Sequence, residues 1–334
     1  MPESDRRPRL TPAVADVRRA VRETIADLPE GALVLVALSG GPDSLALAAA
    51  TAFEAGRAGM RAGAVIVDHG LQSGSADIAD RAAVQAQELG LDPVRVMRVQ
   101  VAPDGSPEAA ARQARYAALL QARKELSAAV VLLGHTLDDQ AETVLIGLAR
   151  GSGSESLWGM HPRIGFLRRP LLQVRRATTH QACRDLGLDA WSDPHNDDDR
   201  FLRVRVRHRV LPMLDEVLGG GVALALTRTA DTLREDAEAL AHFAQEQILD
   251  LVEHAEGGLS LDVGGLGANP PALRQRIIRL AVQSEFHVAL SRQQTLEVSR
   301  LVTDWHGQGP IHLPGIRVTR DGRRLVFVAA GTAD

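Results

Sequence analysis

The residues with the clearest chemical meaning form the run Ser39-Gly40-Gly41-Pro42-Asp43-Ser44. The run follows a short apolar stretch, LVLVAL at 33–38, and precedes a segment with helical periodicity that starts at Pro42. Glycines at such a junction let the backbone turn tightly and approach an anion, while the free amides of the helix start point at it. A phosphate is the natural guest, although two glycines alone more often make an ordinary turn. What is missing narrows the kind of phosphate site. A Walker loop needs Gly directly before its Lys, and the single lysine of the chain, Lys124, follows Arg123. The Gly-x-Gly-x-x-Gly dinucleotide fingerprint is also absent from this turn. Asp43 stands where a Walker loop would supply positive charge, and a carboxylate beside phosphates makes chemical sense if it holds Mg²⁺ between them.

Two further clusters follow apolar runs: Asp68-His69 after AGAVIVD at 62–68, and His135 with Asp138, Asp139 and Glu142 after AVVLLG at 129–134. The two histidines suit hydrogen bonds to phosphate or ribose, and a packed strand-end histidine is as common. The three carboxylates open a helix, where acidic groups also favour the macrodipole for purely structural reasons. Farther on, residues 193–209 are first acidic and then strongly basic. On a helix Arg200, Arg203 and Arg207 share one face, and Arg205 and Arg209 share the other. Such a run serves nucleic acid, or it is a helix laced by its own aspartates.

These clusters need a scaffold that brings them together. Thr11-Pro12 followed by Val14, Val17, Val21, Ile25 and Leu28 predicts a capped amphipathic helix. Strands at 33–38, 62–68, 94–100 and 129–134 then alternate with helices from Pro42 to Ala55, near 76–89, at 107–126 and at 138–149. Strands separated by helices require crossover connections, hence an α/β fold with a parallel, doubly wound, Rossmann-like sheet. Reactive groups collect at the carboxyl ends of such strands, so the three clusters are expected in one crevice. After the Gly/Ser segment at 151–156 the pattern loosens, and Gly219-Gly220-Gly221 predicts a boundary between a catalytic domain at 1–218 and a smaller domain at 219–334. The second domain reads as mainly helical: a long helix to about Leu251, helices near 271–284 and 291–303, then strands near 315–319 and 324–329. Asp321-Gly322 joins those two as a terminal β-hairpin.

The 39–44 loop resembles the SGGxDS loop of the N-type ATP pyrophosphatases, which cleave ATP to AMP and pyrophosphate while adenylating a substrate. Further stretches occur in the order seen in the tRNA(Ile)-lysidine synthetase family. They are Val67-Asp68-His69-Gly70-Leu71, Glu108-Ala109-Ala110-Ala111-Arg112-Gln113-Ala114-Arg115-Tyr116, and His135-Thr136-Leu137-Asp138-Asp139-Gln140-Ala141-Glu142-Thr143 with Arg150-Gly151-Ser152-Gly153. The last runs from Asp193-Pro194 to Leu211-Pro212. The chain departs from the family at His195, where Ser is usual, and at Val204, where Asn is. The resemblance spans about residues 30 to 215.

It implies that ATP adenylates the C2 oxygen of the wobble cytidine in the CAU-anticodon isoleucine tRNA, and that the amine of free L-lysine then displaces AMP. Carried over by residue, Ser39, Gly40, Gly41, Pro42, Asp43 and Ser44 are expected to hold the ATP phosphates; His69 and His135 are candidates for further nucleotide contact by their place after strands. Asp43, Asp138 and Asp139 are the catalytic candidates. Asp43 and Asp139 are candidates for Mg²⁺, a carboxylate is needed to attract the lysine ammonium, and Arg203, Arg205 and Arg207 are candidates for tRNA. The long helix and the hairpin resemble a tRNA-docking module in position. A homodimer contact fits the apolar seam of that helix equally well. The chain is expected to lack the extra C-terminal domain of longer members.

Composition sets outer limits. The 334 residues are 45% hydrophobic and 24% charged, ordinary globular values that disfavour disorder and fibrous classes. A net charge of −4 means any nucleic-acid surface is local, and 3% aromatics supply few stacking platforms. Lone Cys183 excludes an intrachain disulfide and paired-cysteine metal or redox motifs, which favours a reducing cytoplasm. No run approaches ~18 uninterrupted apolar residues, so no membrane partner is expected. Two rivals stand beside lysidine synthesis. One is another ATP pyrophosphatase reaction such as tRNA thiolation, amide ligation or NAD synthesis; the other is a non-catalytic RNA-binding protein.

Overall fold

The computed structural model describes residues 10–70, 74–99, 107–151, 154–193, 198–255 and 257–330. Leu71, Ser152, Gly153, Pro194 and His195, which belong to the motifs above, lie outside them, and the side chain of Glu108 is likewise not described. The chain divides into two compact units, Met1–Asp231 and Thr232–Asp334.

The first unit is the expected α/β layer structure. Helix α1 (Pro12–Ile25) is capped by Thr11 and leads to β1 (Leu33–Ala37), α2 (Pro42–Arg57), β2 (Arg61–Asp68), α3 (Ser75–Glu88) and β3 (Val94–Arg98). Then come α4 (Pro107–Glu125), β4 (Val130–Leu132), α5 (Leu137–Arg150), a short β5–β6 hairpin (Arg163–Ile164, Leu167–Arg168) and α6 (Arg176–Asp185). The sheet order is β3-β2-β1-β4-β6-β5, all parallel except β5. Every residue of β1 is buried, and the strand splits its side chains by period two. Val34 and Val36 enter a core with α1, α2, α3 and α6, whereas Leu33, Leu35 and Ala37 enter a second core with Leu119 and Ala122 of α4. That division is what a doubly wound sheet with helices on both faces requires.

The strand order reverses about β1: β2 and β3 are added to one side, β4 and β6 to the other. The turns after β1 and β4 therefore flank a crevice at the carboxyl edge, the place where such sheets bind ligands. Gly56 stays inside α2, and the left-handed turn comes at Gly59. Lys124 is exposed in the last turn of α4, at the amino edge of the sheet, away from that crevice.

A helical stretch Leu202–Leu218 follows, made of α7 (Leu202–Arg205), a π-helical turn Val206–Val210 and α8 (Leu211–Leu218). Val206 and Leu211 pack on Leu137 and Ala141 of α5, together with Ala223 at the start of α9 (Val222–Leu251). Gly219, Gly220 and Gly221 all have positive φ and separate α8 from α9, while the division into units falls later, within α9.

The second unit holds the rest of α9, α10 (Val263–Ala268), α11 (Pro271–Phe286) and α12 (Arg292–Thr303). The predicted terminal hairpin, β10 (Ile316–Asp321) with β11 (Arg324–Ala329), is present, and it is part of a five-stranded antiparallel sheet β7-β8-β11-β10-β9. Strands β7 (Val252–Ala255), β8 (Gly258–Asp262) and β9 (Ile311–Leu313) were not foreseen, because each is short and Glu253, His254 and His312 interrupt any apolar run. Its core is built on Phe327, Leu261, Ile277 and Leu266. Among the described residues no single helix is long and apolar enough to cross a membrane.

Candidate active site

The 39–44 loop is a turn braced from within. Gly40 has φ +81°, and Gly41 is the N-cap of α2 with no side-chain cap, so the first amides of the helix are left for a ligand. Ser39 N donates to Ser44 Oγ at 3.1 Å, and Ser44 Oγ donates to the Gly41 carbonyl at 2.9 Å. The two serines thus fix the loop, with their hydroxyls 3.1 Å apart. Strand β4 presses against it: a Cβ on Gly134 would lie 3.2 Å from Ser44 N.

Two cavities open at this edge. One, of about 330 Å³, is mainly apolar and lined by Leu38, Val65, Val67 and Ile78, with Asp68 and His69 at the β2 end. The other, of about 840 Å³, is polar and includes Gly41, Pro42, Asp43, Ser44, His135, Asp139, Arg176 and Arg207. They share a wall of Ala37, Ser39, Arg115, Trp191 and Asp193. The backbone of Trp191 donates to the Gly40 carbonyl at 3.0 Å, and nearby Asp189 is tied to α3 through Arg81 and Gln85. All three strand-end clusters thus reach this pair of cavities.

The carboxylates have distinct surroundings. Asp43 accepts a hydrogen bond from Thr179, and burial pushes its pKa up to about 6. Asp139 belongs to a capping box: its Oδ2 accepts from Thr136 N and Oγ1, both at 2.8 Å. Its Oδ1 meets Arg176 Nη2 at 2.6 Å. Burial opposes ionisation there, but the Arg176 guanidinium and the Thr136 hydrogen bonds outweigh it and hold the carboxyl below its usual range. Asp138 points to α6, taking the Arg176 amide at 2.7 Å and the Arg175 guanidinium at 2.9 Å, and it lines neither cavity.

Glu142, fully buried one turn along α5, accepts from Arg176 at 3.2 Å and from Arg207 Nε at 2.8 Å, with Arg203 Nε at 3.8 Å. Arg203 and Arg207 therefore turn toward the acidic cluster, whereas Arg205 bonds the carbonyls of Asp199 and Arg200. Arg200 and Arg209 pair with Asp198 and Asp199, the self-laced pattern the sequence also allowed.

His135 is half-buried, its Nδ1 is enclosed and unpartnered, and desolvation pushes its pKa down, so it is neutral at neutral pH. His69 Nδ1 is likewise unpartnered. Arg115 has no acidic partner among the described residues, and burial lowers its pKa. Unspent hydrogen-bonding capacity in each cavity, with the positive charge of Arg115 on the wall between them, suits a polyanion. Arg115, Arg176, Thr179 and Trp191 were not foreseen as site residues, and Glu142 was placed in the acidic cluster without a role of its own.

Residues 14–214 match the PP-loop domain model, and residues 261–326 match the model described as TilS substrate binding domain. The tRNA(Ile)-lysidine synthase of Leifsonia xyli subsp. xyli is 60% identical over 301 residues, covering 90% of this chain and 91% of that one. The chain belongs to the tRNA(Ile)-lysidine synthase family. The synthase of Thermobifida fusca is 52% identical over 322 residues, covering 94% and 98%. A solved structure of a U34-tRNA thiolase from Methanococcus maripaludis shares the fold at TM-score 0.57 and 20% identity, over 67% of this chain and 80% of that one. The 39–44 loop lies within the matched PP-loop domain, and ATP is the nucleotide this family uses.

Proposed function

We propose that this enzyme adenylates the C2 oxygen of the wobble cytidine in a CAU-anticodon isoleucine tRNA, and that the amine of free lysine then attacks C2. The C2–O bond breaks, AMP leaves with that oxygen, and lysidine remains. One observation carries the site assignment: an apolar cavity sized for a nucleoside and a polar cavity rich in paired charges meet at the braced PP-loop.

In this reading the adenosine lies against Val65, Val67 and Ile78, and the phosphates meet the free amides at the start of α2. Ser39 and Ser44 keep the loop rigid, Arg115 supplies charge from the shared wall, and His69 and His135 offer hydrogen bonds from the first and second cavity respectively. Asp43 is suited to Mg²⁺, since its Oδ2 accepts no hydrogen bond among the described residues and Mg²⁺ usually takes one or two carboxylates together with substrate phosphates. When bound, the ion neutralises phosphate charge and helps pyrophosphate depart. Asp139 joins that shell only by giving up an oxygen now held by Arg176 or Thr136.

Asp139, which lines the larger cavity, offers its carboxylate to the lysine ammonium, which must compete with Arg176 and Arg207 for it, while buried Glu142 holds those two arginines in place. A carboxyl held ionised by an arginine is a weak base, so Asp139 orients the amine and does not remove its proton. Asp138 acts through α6, whose first amide it fixes. Cys183 lies under the loop, its Sγ donating to the Pro42 carbonyl at 3.1 Å, and burial pushes the thiol up to about 11. It is therefore protonated at neutral pH, which speaks against a persulfide relay.

The deciding experiment supplies ATP, Mg²⁺, total tRNA and labelled amino acids one at a time. Lysine alone should enter an isoleucine tRNA, with AMP and pyrophosphate as nucleotide products. Formation of ADP, or equal use of arginine or ornithine, would overturn the reading.

A further inference from the structure

Helix α6 turns one stripe of side chains toward the PP-loop: Arg176, Thr179, His180 and Cys183, at i, i+3, i+4 and i+7. Each meets Pro42 or Asp43. Arg176 Nε is 3.8 Å from Asp43 Oδ2, and His180 Nε2 is 3.9 Å from Oδ1. Cys183 Sγ holds the Pro42 carbonyl, and the Thr179 hydroxyl reaches Asp43 Oδ1 directly. Thr179 is completely buried, and its hydroxyl also lies 2.7 Å from the Arg176 carbonyl of its own helix. A hydroxyl has one proton, and an ionised carboxylate is a stronger acceptor than a backbone carbonyl, so the proton goes to Asp43.

We infer that Thr179 is a positioning residue for the reaction: its buried hydroxyl claims Oδ1 of Asp43, fixes the rotation of that carboxylate, and leaves Oδ2 to meet the cation and phosphates. The inference rests on the reading of Asp43 as the PP-loop carboxylate for Mg²⁺–ATP. Cys183 holds the loop from the same side, but a contact to the Pro42 carbonyl does not set the angle of a carboxylate. An Asp side chain turns about its last torsion with little resistance, so a second hydrogen bond is what selects one orientation. Partners of ligating carboxylates commonly matter about 10–100-fold in metal affinity.

The test uses the full-length enzyme with Mn²⁺ as a paramagnetic probe, in the presence of ATP, read by electron paramagnetic resonance. Steady-state kinetics and a tRNA gel shift accompany it. Thr179→Val removes the hydroxyl at nearly constant shape. It should weaken Mn²⁺–ATP binding and lower kcat/KM for ATP by about tenfold or more, with tRNA affinity unchanged. Thr179→Ser should restore both to within about threefold of wild type, because it returns the donor. Asp43→Asn is the reference and should lose Mn²⁺–ATP affinity outright. If Asp43→Asn loses it while Thr179→Val keeps it, Thr179 only packs and the inference fails alone. If Asp43→Asn also keeps it, the reading of Asp43 falls and takes the inference with it. Should the valine variant not fold, Thr179→Ala is judged by the same comparison.

Discussion

Glu142 is a carboxylate with no exposed surface facing three guanidinium groups, two of them largely enclosed, so its removal strands partly buried positive charge. Breaking one side of a buried ion pair typically costs ~3–5 kcal/mol, and Glu142→Ala should lose that much in denaturant unfolding. A loss below ~1 kcal/mol would mean that Arg176 and Arg207 re-pair with Asp139 at little cost. Asp43 makes a prediction of the opposite sign. Because burial raises its pKa from 3.8 to about 6, the native state keeps a proton that the unfolded chain has released. Its contribution to stability is full below 3.8 and is lost as pH rises through about 6. The stability of the wild type relative to Asp43→Asn should therefore fall across that window and level off above it. A difference that stays flat with pH would contradict the burial argument. Asp43→Asn should also cost orders of magnitude in turnover, if it is the carboxylate beside the phosphates. Cys183→Ser, by contrast, should modify tRNA normally at a loss of ~1 kcal/mol. Inactivity of the folded serine variant would move the chemistry toward sulfur transfer.

At the scale of elements, the site depends on how closely β4 approaches the start of α2. Gly134→Ala would place a Cβ 3.2 Å from Ser44 N and 3.3 Å from the Asp43 carbonyl, both backbone atoms that a rotamer change cannot relieve. Nucleotide affinity should drop by about tenfold with the melting temperature nearly kept, since the strain falls on the loop and not on the core. Wild-type ATP affinity in that variant would show that the loop tolerates displacement. The elements that flank this contact were legible in the sequence. The run 33–38 has no polar residue, as a strand buried on both faces requires, and the glycines after it mark the turn. Thr136 and Asp139 stand at capping-box spacing, so a structural use of Asp139 was also legible. Helix α6 was not. Its polar stripe faces a loop and not a hydrophobic layer, and hydrophobic periodicity has nothing to detect there. Nor could spacing reveal the partners of Glu142, since Arg176 and Arg207 lie 34 and 65 residues away and only the folded sheet brings them to α5.

At the scale of the molecule, the PP-loop domain match and the acidic cluster lie wholly in the first unit, and the substrate-binding match lies wholly in the second. A chain ending at Asp231 keeps Ala223 and Leu226 against Leu137 and Ala141. It should bind ATP near wild-type strength and lose productive tRNA binding, as separate titrations would show. Undiminished tRNA modification by the shortened chain would assign the second unit to stability alone. The position of Lys124 has a practical consequence for such titrations. A protein of 334 residues with one side-chain amine, exposed at the edge of the sheet away from the crevice, accepts an acylating fluorophore at a single internal address. A dye at Lys124 sits away from the crevice, and no second lysine side chain competes there with the amine of the substrate.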